Sequence, residues 1–117
     1  LYATAIVPVY STRSLSTVPS TVAYRVYQYI TDLLDADEKS RDSYLRYMNE
    51  AETYNFVTSK KRGRGYGGGV HKEYAFVDDP SVVAETLRED FRLEQAGHDE
   101  DLIRSVVNAQ IEEFFDT

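Results

Sequence analysis

Cysteine is absent from this 117-residue chain, which excludes disulfide bonds, thiolate metal sites and cysteine-based catalysis. Long hydrophobic runs are absent as well. The longest uncharged stretch, residues 1–12, is too short to cross a bilayer and is interrupted by Pro8. No basic leader with a small-residue cleavage site opens the sequence. We therefore expect a cytoplasmic protein with no membrane partner. Because the sequence begins at Leu1 and not at Met, we also expect it to be a piece of a longer chain.

Lysine is scarce, and positive charge is concentrated in one part of the chain. Acidic residues outnumber basic ones by 20 to 13, which gives a net charge of −7. Residues 1–77 nevertheless carry ten basic and eight acidic side chains, whereas residues 78–117 carry three and twelve. Three of the four lysines lie within residues 60–72, where five basic residues and no acidic one occur. Such a cluster in an acidic chain favours a local contact with nucleic acid.

The lysine-poor, Asp/Glu-rich remainder is typical of proteins from salt-loving organisms, whose surfaces are acidic throughout. An acidic domain from a mesophile is the alternative. Apolar residues make up 42% of the sequence. A chain of this length and composition forms one domain that buries roughly two-thirds of its unfolded surface.

The first part of the sequence predicts two helices joined by a linker. The apolar segment 1–10 predicts a short buried helix broken near Pro8, with a strand as the alternative. A hydroxyl-rich linker over residues 11–20 leads to a second helix, which starts at Pro19 with Ser20 or Thr21. The apolar stripe of that helix comprises Val22, Val26, Ile30, Leu33 and Leu34, flanked by Tyr27 and Tyr29, with Tyr24 on the far side.

A third helix begins near Ser40, a good N-cap residue, and ends at Asn55, which tolerates the left-handed turn after a helix. Its apolar stripe comprises Tyr44, Tyr47, Met48, Ala51 and Tyr54. This places Arg46 on the opposite face, with Arg41 and Ser43 in the first turn at the edges of the stripe.

A β-hairpin follows. Residues 56–59 are strand-like, residues 60–69 (KKRGRGYGGG) predict a tight basic turn rich in glycine, and residues 70–77 alternate in polarity. We expect two more helices, one starting at Asp79-Pro80 and one capped by Asp99, with Gly97 between them. Their buried stripes comprise Val82, Val83, Leu87 and Phe91, and then Leu102, Ile103, Val106, Val107, Ile111, Phe114 and Phe115.

This order predicts an α+β, mostly α fold: a winged helix of three helices and a two-stranded wing, with additional C-terminal helices. We expect a DNA-binding domain over residues 1–95. An acidic amphipathic helix over residues 96–117 should pack on that domain or extend it.

The candidate DNA-binding residues lie on the third helix and on the hairpin. In a helix-turn-helix unit the second helix enters the major groove, and here that helix offers Arg41, Ser43 and Arg46. The hairpin tip offers Lys60, Lys61, Arg62 and Arg64, with glycines that allow close approach to a phosphate. Tyr66 would pack against a sugar or a base edge, and Lys72 follows on the return strand. Asp42, Glu50 and Glu52 would repel phosphate if they faced it, and a solvated loop and helix face are the alternatives.

These segments resemble the C-terminal winged-helix domain of archaeal replication initiators, the origin recognition complex subunit 1 / cell division control protein 6 family. The resemblance covers roughly residues 1–87. It rests on the tyrosine-containing second helix, the polar-rich segment SRDSYLRYMNEAETYNFV and the basic Gly-Arg-Gly wing of residues 62–69. The sequence departs from the family at Asp42, where members are often basic, and at its exit Tyr-Asn-Phe-Val, where they carry a Leu-Gly-Ile-Val-like segment.

The resemblance implies a non-catalytic domain that binds double-stranded origin DNA through its recognition helix and wing. The contacts it implies are Ser40, Arg41, Ser43 and Arg46 on the helix, and Arg62, Gly63, Arg64, Gly65 and Tyr66 on the wing. Other initiator protomers or replication proteins are further expected partners. The family's ATPase module, with its ATP and magnesium, should precede this domain. The chain has no Gly-x-x-x-x-Gly-Lys-Ser/Thr loop, and we expect no cofactor in it.

Other motifs carry less weight. Gly63-x-Gly65-x-x-Gly68 fits the dinucleotide-binding pattern, but it lies in a hairpin and not between a strand and a helix. His71 and His98 are far apart in sequence, and His98 lies beside acidic residues, so a solvated turn is favoured over a metal site. No nucleophile–base arrangement indicates an enzyme.

Two alternatives remain open at this stage. A winged-helix transcription regulator would dimerise through its apolar terminal helices, Leu1–Tyr10 and Leu102–Phe115. A protein-interaction winged helix would use the acidic tail or Tyr24, the tyrosine that falls off the buried stripe of its helix.

Overall fold

The computed structural model describes residues 1–63, 70–89 and 100–115 of the chain. The helices in these ranges are α1 (Tyr2–Tyr10), α2 (Ser20–Leu33), α3 (Arg41–Thr53), α4 (Pro80–Glu89) and α5 (Glu100–Phe115). The strands are β1 (Val18–Pro19), β2 (Val57–Gly63) and β3 (Val70–Phe76).

Local capping chemistry explains both ends of α3 and the start of α4. The Ser40 side chain accepts a hydrogen bond from the Ser43 backbone N–H at 3.2 Å, which satisfies one of the free donors at the start of α3. Asn55 follows the helix with φ = 65°, the left-handed conformation predicted for it. Asp79 accepts from the Ser81 backbone N–H at 2.9 Å directly ahead of α4. These three boundaries are confirmed.

Helix α1 continues through Pro8, so the predicted break is wrong. Proline removes one hydrogen bond and crowds the carbonyl four residues earlier. Six of the nine residues of α1 are buried, and the helix packs against α2, α4 and α5. This packing holds the helical conformation past the proline, because tertiary burial outweighs a local propensity of a few kcal/mol.

The sheet has three antiparallel strands in the order β1-β3-β2. Strand β1 pairs Val18 with Tyr74 and Pro19 with Glu73. The sequence predicted only a linker there, because two residues carry no periodic signal. Pro19 has no N–H to donate to a ladder, and it lies on an edge strand, where proline is tolerated.

Strand β2 is longer than predicted. Residues Lys60–Gly63, assigned to a tight turn, continue the strand and pair with β3 up to Gly63 opposite Val70. Lys60 and Lys61 are exposed on this strand, which accepts long basic side chains because their charged ends stay in solvent. The predicted turn residues from Arg64 to Gly69 lie outside the described ranges. We call the β2–β3 hairpin the wing.

The core forms where α1, α2, α3, α5 and the sheet meet. The side chains with less than 2% exposure are mostly aliphatic: Ile6, Val7, Val18, Val22, Val26, Val57, Ile103, Val107 and Ile111, together with Tyr74, Met48 and Thr4. The Thr4 hydroxyl lies 2.8 Å from the Tyr44 hydroxyl, so α1 and α3 share a buried hydrogen bond. Each of these two polar groups therefore has a partner within the core.

Several residues predicted to be buried are exposed. They are Leu33, Tyr47, Tyr54, Val82, Leu102 and Phe115, each between 37% and 73% exposed. Val83 and Leu87 are only half-buried, and Ala84 is the buried residue of α4. The predicted stripes were too wide: in the described ranges α3 and α5 bury three residues each, and α4 buries one. Phe91, Gly97 and Asp99 lie outside the described ranges.

The predicted fold class is confirmed: three helices precede a two-stranded wing, and two helices follow in the described ranges. Helix α5 packs on α1 and α2. The apolar faces of α1 and α5, which the dimeric regulator would use, are thus largely buried within the chain.

Candidate nucleic-acid interface

Helix α3 is fastened to the wing at its C-terminal end. The Glu52 carboxylate accepts a hydrogen bond from the Ser59 backbone N–H at 3.0 Å and one from the Ser59 hydroxyl at 2.9 Å. Because these donors hold the carboxylate against strand β2, Glu52 serves the helix–wing junction. It is one of the three acidic residues of α3 that would repel a phosphate if they faced it.

A groove of about 430 Å³ separates α3 from the wing. Its lining residues come from α2, α3, β2 and β3: Ser20, Arg41, Leu45, Lys61, His71 and Lys72. We call Arg41, Lys61 and Lys72 the groove cations. All three were candidate DNA contacts, and the structure brings them to one surface although they span 31 positions of sequence.

Lys61 and Lys72 lie directly opposite each other in the antiparallel register. Like charges at such a pair destabilise a hairpin by a few tenths of a kcal/mol to about 1 kcal/mol. The Lys72 Nζ donates to Asn49 Oδ1 at 2.8 Å, and this bond links the wing to the middle of α3. The pairing of two lysines favours an anion between or beside them.

Two of the groove cations contact neutral oxygens. The Arg41 guanidinium lies 3.5 Å from the Thr21 hydroxyl, and Lys72 contacts the Asn49 amide. Within the described residues, none of the three forms an ion pair with a carboxylate. Their positive charge is therefore not neutralised locally and remains available to a phosphate.

The other predicted residues of α3 lie around this groove. Ser40 caps the helix, and its hydroxyl is 3.2 Å from that of Ser43. Arg46 is exposed, and the i,i+4 spacing puts it on one face with Asp42 and Glu50. That face presents a single positive charge between two negative ones, so it is less suited to phosphate than the groove.

The predicted wing residues separate into two groups. Lys60 is exposed on β2, next to Lys61 in the strand, so the two side chains point to opposite sides of the wing. Arg62 and Gly63 form the last described part of β2. Arg64, Gly65 and Tyr66 lie outside the described ranges.

Sequence reasoning missed Asn49, Leu45, Ser20 and His71. Arg41, Leu45 and Asn49 recur at intervals of four and therefore share one face of α3, a signal that was available in the sequence. Ser20 and His71 reach the groove through the packing of α2 and β3, for which the sequence carries no local signal.

His71 also lies at the junction with α5. Its Nε2 is 3.0 Å from Glu73 Oε2, and its ring meets Phe114 edge-on at a centroid distance of 5.3 Å. The Thr17 hydroxyl donates to Glu73 Oε1 at 2.5 Å. The buried His71 thus connects the wing to the linker and to the C-terminal helix.

Two tyrosines of α2 hold the turn that leads into α3. The Tyr24 hydroxyl donates to the Lys39 carbonyl at 3.1 Å, and the Lys39 N–H donates to the Tyr27 hydroxyl at 2.9 Å. Both rings lie near Tyr44, with centroids 5.6 and 6.1 Å away. Tyr24, a proposed anchor for a partner protein, is therefore occupied in orienting α3 against α2.

The structure contains no group of three or more His, Cys, Asp or Glu side chains that could hold a metal ion within the described ranges. His98, one of the two histidines considered for metal binding, lies outside them. None of the described helices is long and apolar enough to cross a membrane.

Comparison with known proteins identifies the family. Residues 3–86 match the family model described as "CDC6, C terminal winged helix domain". The match runs from α1 into α4 and includes the groove and the wing. No solved structure matches the chain.

Curated relatives come from salt-loving archaea. The chain is 40% identical over 114 residues to "ORC1-type DNA replication protein 5" of Halobacterium salinarum, covering 97% of the chain and 27% of that protein. It is 36% identical over 116 residues to "ORC1-type DNA replication protein 14" of Haloarcula marismortui, with the same coverage. Their source agrees with the acidic, lysine-poor composition, and the chain spans about a quarter of their length.

The family model covers well over half of the chain, and the arrangement of α1, α2, α3 and the wing is the one its description requires. On both grounds the chain belongs to the family of CDC6 C-terminal winged-helix domains.

Proposed function

We propose that this domain binds double-stranded DNA at replication origins, without catalysis, through α3 and the wing. The observation that carries the proposal is the groove in which Arg41, Lys61 and Lys72 converge without ion-pair partners among the described residues. The relatives named as DNA replication proteins support a role in initiation.

In this proposal α3 lies along the major groove and a phosphate strand passes between α3 and the wing. The groove cations neutralise phosphates and release condensed counterions, which supplies most of the sequence-independent binding energy. Ser40, Ser43 and Arg46 face the duplex from the first turns of α3. Lys60 and the wing residues Arg62, Gly63, Arg64, Gly65 and Tyr66 contact the backbone or the adjacent minor groove.

The acidic body of the domain directs this binding. Twelve acidic side chains against three basic ones in residues 78–117 repel DNA from the C-terminal part of the chain. The duplex therefore approaches the wing first. At molar salt the counterion contribution shrinks, and hydrogen bonds, shape and bridging water carry more of the affinity.

We also infer the setting of the domain from the length of its relatives. About three-quarters of each of the two relatives lies outside the match. We propose that the longer protein acts in the cytoplasm, carries an ATPase module that uses ATP and magnesium, and assembles with other initiator protomers or replication proteins. A catalytic role for the winged-helix domain itself is not part of the proposal.

The first test is DNA binding by fluorescence anisotropy across a salt series, with random duplex and AT-rich inverted-repeat duplex side by side. We expect affinity to fall linearly with the logarithm of salt concentration and the inverted repeat to bind more tightly. Absence of binding to either duplex at low salt would overturn the proposal.

The second test compares Lys61→Gln/Lys72→Gln with Arg25→Gln. Each substitution removes positive charge, but Arg25 lies on α2 and pairs with Glu113 of α5 at 3.0 Å, away from the groove. The salt slope is the steepness with which the logarithm of the binding constant falls with the logarithm of salt concentration. Losing two phosphate contacts lowers it by about 2. We expect this change in the double variant only; equal slopes in both variants would contradict the assignment of the groove.

A further inference from the structure

We propose that Asn49 and Lys72 form one base-reading unit that recognises the major-groove edge of a guanine. The inference rests on the proposed DNA-binding function and assigns a specificity to the helix–wing junction. It starts from a single contact: the Lys72 Nζ donates to Asn49 Oδ1 at 2.8 Å.

The lysine decides which way the amide of Asn49 is turned. An ammonium group only donates hydrogen bonds, so its partner on Asn49 must be the carbonyl oxygen. The two N–H donors of Nδ2 then point away from the Lys72 contact. Asn49 is exposed, and it follows Arg41 and Leu45 along the α3 face that borders the groove.

The exposed donors determine the base that fits. Guanine presents two adjacent acceptors in the major groove, N7 and O6, whereas adenine presents one acceptor and one donor. An asparagine with a free amide pairs bidentately with adenine, because it can donate and accept at once. Lys72 occupies one lone pair of the Asn49 oxygen, and the ammonium charge beside it weakens that oxygen as an acceptor for the amino group of adenine. The two N–H donors of Asn49 and the remaining donors of the ammonium stay available. Together they match guanine.

The position of Asn49 separates this role from phosphate binding. The groove cations come from the first turn of α3 and from the wing, while Asn49 lies two turns further along α3. Asn49 is an exposed residue of α3, and in a helix-turn-helix unit this second helix lies in the major groove. Asn49 therefore reads sequence, and Lys72 reaches the same base while it positions the amide.

The inference predicts a switch of base preference. In the Lys72→Met variant the Asn49 oxygen is released, and the preferred base at one position should change from guanine to adenine. In Asn49→Ala the preference at that position should disappear, with a loss of about 5- to 100-fold in discrimination. Alanine favours the helix, so this variant keeps α3 intact.

Lys61→Met is the matched control. Lys61 lies opposite Lys72 across the wing and carries the same charge. The structure gives it no hydrogen bond to Asn49 within the described residues. Both lysine variants should lose a similar amount of affinity for all sequences. The control should retain the guanine preference.

The experiment is selection of bound duplexes from a random library by the 117-residue chain and its three variants, followed by sequencing and anisotropy on the selected sites. The inference is supported if the guanine selected at one position by the wild type is replaced by adenine only in Lys72→Met. In Asn49→Ala no base should be preferred at that position. Identical selected sites in all four proteins, or salt-dependent binding with no selected site, would overturn it while the DNA-binding function stands. No binding of any duplex would overturn both.

Discussion

The basic side chains on the two sides of this molecule have different partners. On the helical side, formed by α1, α2 and α5, Arg25 pairs with Glu113 at 3.0 Å and Arg104 pairs with Glu100 at 3.6 Å. The Arg104 guanidinium also lies 5.2 Å from the ring centroid of Tyr10. Arg25 thereby links α2 to α5 and Arg104 links α5 to α1, whereas the Arg104–Glu100 pair lies within α5.

On the wing side, formed by α3, β2 and β3, Arg41 and Lys72 contact neutral oxygens, and none of the groove cations pairs with a carboxylate among the described residues. Two of them even oppose each other across the hairpin. The helical side therefore uses charge for packing, whereas the wing side gives up some stability and keeps charge available for an anion. This difference can be tested by measuring stability and DNA binding on the same variants.

The largest expected effect on stability comes from the helical side. Ile6 of α1 is fully buried, and Ile6→Ala removes its packing and leaves a cavity, at a cost of about 3 kcal/mol. We expect this loss in urea unfolding monitored by circular dichroism. Under conditions where the variant is folded, its salt slope for DNA should equal that of the wild type. A changed slope would mean that the two sides are not separable.

Two buried tyrosines of the wing side sharpen the comparison with substitutions of opposite expected sign. Tyr44→Phe removes the hydrogen bond between the Thr4 and Tyr44 hydroxyls and should cost about 1 kcal/mol. The Tyr74 hydroxyl is buried and has no hydrogen-bond partner among the described residues. Burial raises the pKa of Tyr74 to about 12, so the hydroxyl stays neutral.

Tyr74→Phe removes an unsatisfied polar group and should stabilise the domain by about 1 kcal/mol. The measurement is the free energy of unfolding in urea for both variants under identical conditions. If Tyr74→Phe destabilises the protein as much as Tyr44→Phe does, the Tyr74 hydroxyl has a partner and this part of the comparison is wrong.

A smaller effect tests the stability given up on the wing side. Lys61→Glu converts the like-charge pair with Lys72 into an opposite-charge pair and should stabilise the fold by about 0.5 kcal/mol. The same substitution should weaken DNA binding, because it removes a phosphate contact and introduces a negative charge. Thermal unfolding and anisotropy on one preparation would show both changes. If Lys61→Glu is less stable than the wild type, the pairing of Lys61 with Lys72 does not destabilise the fold.

The smallest effect concerns acid sensitivity ahead of α4. Hydrogen bonds from the Ser81 hydroxyl and backbone N–H lower the pKa of Asp79 below its ordinary value of 3.8. Since the folded-state pKa is the lower one, Asp79 stabilises the fold at neutral pH, and this contribution is lost as pH falls below 3.8 through the folded pKa. The difference in unfolding free energy between Asp79→Asn and the wild type should therefore be smaller at about pH 3 than at neutral pH. A difference in unfolding free energy that is larger in acid than at neutral pH would contradict the lowered pKa of Asp79.

Local chemistry made part of the structure predictable. Ser40, Asn55 and Asp79 mark helix boundaries through hydrogen bonds and backbone conformations that depend on neighbouring residues only. The buried Val22, Val26 and Ile30 follow the helical period.

The failures concern segments whose conformation depends on distant partners. Helix α1 passes through Pro8 because α2, α4 and α5 surround it. The strand at Val18–Pro19 exists because β3 offers a free edge. Lys60–Gly63 are extended because the wing pairing continues through them. None of these partners can be recognised within the segment itself.

The candidate interface shows the same division. Basic residues concentrated within 60–72 indicated an anion-binding wing, because charge composition is a property of the sequence itself. The sequence thus determined the order of the described helices and the wing, the helix boundaries at Ser40, Asn55 and Asp79, and the sign of charge on the wing. Only the tertiary structure decided that Arg41 joins Lys61 and Lys72 in one groove, and that Lys72 holds Asn49. The physical reason is that strand register and helix packing depend on the free energy of the whole chain. They bring together residues far apart in sequence, and no single segment carries that information.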